Sequence, residues 1–90
     1  MPRRLTLVLD LMDIRHVYGH FWTTFIEDTV QGCAGFQLHR ESSGKRVVVG
    51  QTTYWDATGG FVFNTFDGAD VPVEVVEAAI AEARREIKTR

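Results

Sequence analysis

The sequence predicts an α+β domain in the order β-α-β-β-β-α. An antiparallel meander sheet is packed by an N-terminal helix and by a C-terminal amphipathic helix. Three observations carry this expectation. Strand-like stretches at 34–39, 46–55 and 61–66 are separated by two polar, glycine-bearing turns. Residues 73–87 carry an apolar stripe at helical spacing. Ahead of the sheet, residues 14–26 also place apolar side chains at helical offsets.

In chain order, Leu5, Leu7, Leu9 and Leu11 alternate with Thr6, Val8 and Asp10, the period of two that predicts a strand at an edge. Asp13 then stands as an N-cap ahead of Ile14, Val17, Tyr18, Phe21, Trp22, Phe25 and Ile26, which fall on one helical stripe. This spacing predicts a helix over 14–31, stopped at Gly32. A strand through 16–26 is the competing reading, because Gly19, Thr23, Thr24 and the aromatics are weak helix formers. Glu27 and Asp28 would also oppose the dipole at the helix C-terminus.

The alternation of Ala34, Phe36 and Leu38 leads into Glu41-Ser42-Ser43-Gly44-Lys45, a hairpin turn, and then into Arg46-Val47-Val48-Val49. Asp56-Ala57-Thr58-Gly59-Gly60 makes a second turn between Gln51-Thr52-Thr53-Tyr54-Trp55 and Phe61-Val62-Phe63-Asn64-Thr65-Phe66. The last helix is announced by Asp67-Gly68-Ala69-Asp70 and by Pro72 within its first turn. Its expected buried stripe is Val73, Val76, Ile80, Ala83 and Ile87, with glutamates early and arginines late, as the dipole favours.

Ninety residues make one domain with a small core. A net charge of −2, from 10 basic and 12 acidic residues, gives no strong field to gather polyanions. The single cysteine, Cys33, fits a reducing compartment and reads as a small buried hydrophobe. The basic-then-apolar start imitates a signal peptide until Asp10 interrupts it, and no apolar run approaches the roughly 20 residues a membrane span needs. The expected location is therefore the cytoplasm, with no membrane partner.

Three functional readings follow from the side chains. On the expected helix, Asp13, His16 and His20 would fall on successive turns, where two imidazoles can share a metal or serve acid–base chemistry, with His39 as a distant further ligand. The zincin pattern needs Glu after the first histidine, and Val17 stands there. Arg40, Lys45 and Arg46 around the first hairpin, with Arg84, Arg85, Lys88 and Arg90 at the end, could hold phosphates beside stacking aromatics, a nucleic-acid surface. The third and preferred reading is a non-enzymatic interaction module. Pleat alternation cannot put Tyr54, Trp55, Phe61, Phe63 and Phe66 all on one side, so both faces of a thin sheet would carry rings. Shielding the second face calls for the N-terminal segment, a homodimer or a protein partner, with two helices filling both faces within one chain as the competing reading. No phosphate loop, CxxC pair or nucleophile–base motif is visible, and no cofactor is implied.

Overall fold

The computed structural model describes residues 11–87. They form β1 (Asp13–His16), β2 (Gly19–Asp28), β3 (Cys33–Ser42), β4 (Lys45–Trp55), β5 (Gly60–Thr65) and then α1 (Val73–Glu86). The strands make one antiparallel sheet in the order β1-β2-β3-β4-β5, a continuous meander. The α+β class, the meander and the C-terminal helix stand as expected. Of the strand expected at 5–11, residues 5–10 lie outside the described residues, and Leu11 precedes β1.

The helix expected over 14–31 is corrected: the segment is a β-hairpin. Ile14 pairs with Phe21, and Val17 and Tyr18 form the turn, 90% and 65% exposed. The helical spacing was produced by doublets. Phe21 and Phe25 lie on one face of β2 while Trp22 and Ile26 lie on the other, and two apolar doublets four residues apart imitate a helical stripe.

The two expected hairpins have the turns their residues dictate. Ser43 and Gly44 both take positive φ (54° and 76°) in a two-residue turn that closes Ser42 onto Lys45. The second turn, residues 56–59, closes Trp55 onto Gly60, with Gly59 at φ 69°. Such close-packed strands also need a small side chain at Gly35. A Cβ there would stand 2.2 Å from the Thr52 carbonyl oxygen.

Cross-strand pairing assigns every side chain to a face. Ile14, Phe21, Thr23, Phe36, Leu38, Thr52, Tyr54, Phe61 and Phe63 share the face against which α1 packs. A register shift between Leu38 and His39 makes Val49 the extra residue of β4 and turns it into the core. That core is Phe21, Leu38, Val49 and Val75, flanked by Met12, Ile14, Phe63, Ala69 and Val71. Each of the larger side chains contributes about 2 to 3 kcal/mol by leaving water.

The helix is present but rotated from its expected stripe. Val75, Ala79, Glu82 and Ala83 are buried, while Val73 is 66% exposed. Small alanines let the helix approach the sheet closely, and Glu82 is drawn inward by donors on the strands. Its Oε1 accepts from the Thr23 hydroxyl at 2.7 Å and its Oε2 from the Met12 backbone N–H at 2.6 Å. Pro72 takes the N-cap position, one residue earlier than expected, and no side chain caps the helix.

Candidate interaction surface

The opposite face of the sheet is covered by no element among the described residues. Pairing places Asp13, Arg15, His20, Trp22, Thr24, Ile26, Gln37, His39, Glu41, Arg46, Val48, Gln51, Thr53, Trp55, Val62 and Asn64 on it. Gln51 donates to Thr53 at 2.8 Å and so lays a polar patch across its middle. Both tryptophans of the chain are on this face.

Towards the β1–β2 turn the open face is built around Trp22. His39 stacks on it with ring planes 7° apart and centroids 5.3 Å apart, His20 lies tilted at 5.1 Å, and the Arg46 guanidinium sits 5.9 Å from its centroid. Cation–π attraction and stacking hold these side chains in place. Asp13 Oδ1 and His20 Nε2 are 2.7 Å apart across the β1–β2 hairpin, and Thr24 Oγ1 meets His39 Nε2 at 2.8 Å. The result is an aromatic surface with charge at its rim, on rigid paired strands.

Burial of the imidazole among these neighbours lowers the pKa of His39 below its usual 6.5. The unfolded chain therefore binds more protons than the folded one in the window just below pH 6.5. The contribution of His39 is whole above that window and is lost as pH falls through it. His39→Gln is expected to flatten the fall in urea-unfolding stability between about pH 7 and about pH 5. A variant that keeps the wild-type slope would remove His39 as its source.

Of the expected metal or acid–base group, the structure brings Asp13 and His20 together and sends His16 to the other face. There His16 Nε2 lies 3.2 Å from Glu74 Oε2 in the first turn of α1. The pKa of Glu74 is lowered by a backbone hydrogen bond to its own N–H and by its bond to His16. The helical geometry that would have aligned both histidines is absent, and the described residues contain no group of three metal-ligating side chains. No hydroxyl or thiol bonds His20 among the described residues.

The expected ring surface is divided between the faces. Tyr54 is 8% exposed in the core and tilts against Phe61, and Phe63 is half-buried beside them on the helix face. Trp55 is on the open face, and Phe66 is half-buried just beyond β5. The basic residues separate too. Lys45 and Arg46 lie at the first hairpin, whereas Arg84 covers Phe61 at 5.7 Å near the other end of β4, and Arg85 bonds Glu86. Ten residues of extended β4 put about 33 Å between these ends. Arg40 is on the helix face opposite Val47, and Lys88 lies outside the described residues.

Sequence reasoning passed over Trp22 and gave His39 only a distant role. Their relation depends on the β2–β3 register, which pairs Trp22 with His39. Cys33 is half-buried in a cleft of about 400 Å³ at the end of the sheet beyond α1, with Glu27, Tyr54, Asp56 and Glu86. No protein-family model matches the chain, and no curated protein or solved structure matches it either.

Proposed function

We propose that this domain is a non-enzymatic protein-interaction module that self-associates. The observation that carries the reading is the one-sided cover of the sheet among the described residues: a single helix packs on one face, while Trp22 with Arg46, and Trp55 towards the other end of β4, lie on the other. Tryptophan and arginine are the residue types that most often dominate binding energy at protein interfaces. Five strands spaced about 4.8 Å apart and up to about 30 Å long give a face of roughly 700 Å², close to what one partner contributes to a standard interface.

Two further features support a second copy as a partner. The core is small for a free-standing domain, so added burial is worth a large fraction of its stability. The open face also carries both signs, Asp13 and Glu41 beside Arg15 and Arg46, so it sets no uniform repulsion between copies. Light scattering after size exclusion, run from about 1 to about 500 µM, is expected to show a mass rising towards twice 10.2 kDa. A mass that stays at 10.2 kDa throughout would end the reading.

A further inference from the structure

Among the described residues, the two edges of the sheet are built differently. β1 is four residues long, and Asp13 and Arg15 stand exposed on it, the charged and short edge by which soluble proteins discourage strand pairing. β5 reads Gly60-Phe61-Val62-Phe63-Asn64-Thr65, with no charge and no proline. The backbone phase of β5 follows from its neighbour. The Phe66 N–H donates to the Val49 carbonyl at 3.0 Å, so alternation turns the N–H and C=O of Val62 and Asn64 towards β4. Those of Phe61, Phe63 and Thr65 point away from the sheet and make no hydrogen bond among the described residues.

Resting on the self-association proposed above, but placing its contact at the sheet edge and leaving the open face to other partners, we infer that the copies join edge to edge, β5 against β5 of a second copy, antiparallel about a twofold axis at Phe63. A twofold perpendicular to the sheet keeps each face with its like, so partner residues must sit at positions of the same parity. Centring on Phe63 pairs it with the partner's Phe63 and sets Phe61 against the partner's Thr65. All three outward-pointing residues then satisfy both of their backbone groups. The joined sheet has both helices on one side and a doubled open face, carrying the Trp22 clusters, on the other. A second copy is the occupant because the strand is self-complementary in this register, with uncharged residues meeting uncharged residues throughout.

In this register Val62 lies opposite the partner's Asn64. Both side chains are exposed on the open face, and both keep their backbone bonds to β4. The double variant Val62→Lys with Asn64→Lys therefore sets like charges directly opposite each other, as does Val62→Glu with Asn64→Glu. Each alone is expected to weaken self-association at least tenfold, read by analytical ultracentrifugation. An equimolar mixture of the two is expected to recover the wild-type mass as a mixed dimer.

Tryptophan emission separates the possible failures, since both tryptophans are on the open face and neither is on β5. Because Val62 and Asn64 also lie on the open face, emission decides the site: a wild-type dimer whose tryptophan emission shifts to the blue on association would place the contact on the open face, whether or not the charge variants weaken it. That result overturns the edge inference and leaves self-association intact. A wild-type chain that is monomeric throughout overturns both. Should the double variants lose their far-UV strand signal, the singles Val62→Lys and Asn64→Glu, both at exposed positions, carry the test: their mixture sets the lysine opposite the partner's glutamate and is expected to associate more tightly than either variant alone.

Discussion

Replacing Glu82 by alanine is expected to cost about 3 to 5 kcal/mol, roughly a fifth or more of the 5 to 15 kcal/mol that holds a typical domain folded. The carboxylate is 1% exposed and joins three parts of the molecule: α1, the Thr23 hydroxyl of β2, and the Met12 backbone that leads into β1. Removing it deletes the two hydrogen bonds that its carboxyl oxygens accept. It also leaves a buried hydroxyl and a part-buried N–H without partners, and this loss is the larger reason for the size of the effect. The thermal midpoint should fall by about 12 °C or more. Glu82→Gln keeps one acceptor oxygen and fills the same space, so its cost is expected to be smaller, about 1 to 2 kcal/mol. A double-mutant cycle with Thr23→Val should return a coupling of about 1 kcal/mol or more. A loss below about 1 kcal/mol for the alanine variant would show that the helix is held by apolar packing alone.

Gly35→Ala is expected to be as severe, for a reason of space. The added methyl would meet the Thr52 carbonyl oxygen at 2.2 Å, the Thr53 Cα at 3.1 Å and the Thr52 carbonyl carbon at 3.2 Å. All three atoms are backbone of β4, the neighbouring strand, so no side-chain rotation relieves the contact. The strands must separate at the Gly35–Thr53 pair, against the hydrogen bonds on either side of it. A cost of about 3 kcal/mol or more, or failure to fold, is expected by chemical denaturation. Gly44→Ala supplies the control, because nothing lies within 4 Å of its added Cβ. Its effect should be limited to the strain of its positive φ, about 1 kcal/mol. Equal costs at the two positions would refute the steric explanation.

The two turns and the last helix were legible because their signals are local. Ser43-Gly44 and Gly59-Gly60 supply residues suited to left-handed conformations between β-forming stretches, and the glutamate-to-arginine gradient fixes the direction of α1. The β1–β2 hairpin was misread because β2 carries apolar side chains on both faces. A strand of that kind has no alternation to detect, and its doublets satisfy the helical template instead. The weak helix propensities of Thr23 and Thr24 and the misplaced acids Glu27 and Asp28 were the contrary signals present in the sequence.

Similar reasoning divides the candidate site. That rings would be found on both sides of the sheet follows from pleat alternation, and Trp55 does lie opposite Tyr54. The four-residue turn then sets Phe61 beside Tyr54 on the helix face, a result of loop length and register. Asp13 and His20 were singled out on a helical argument and meet at 2.7 Å through strand pairing instead, while the same pairing carries His16 to the other face.

Taken alone, the order of residues determined the class of the domain, its two glycine turns and its closing helix, since each is specified by neighbours a few positions apart. Tertiary structure decided which face of that helix is buried, which histidines share a surface and which edge of the sheet is free of charge. Those outcomes depend on register between strands, and a single residue of register exchanges the two faces of a strand. The burial of Glu82 shows the difference most directly: an acidic residue on an otherwise ordinary helix is interior because donors 59 and 70 positions away meet its two oxygens.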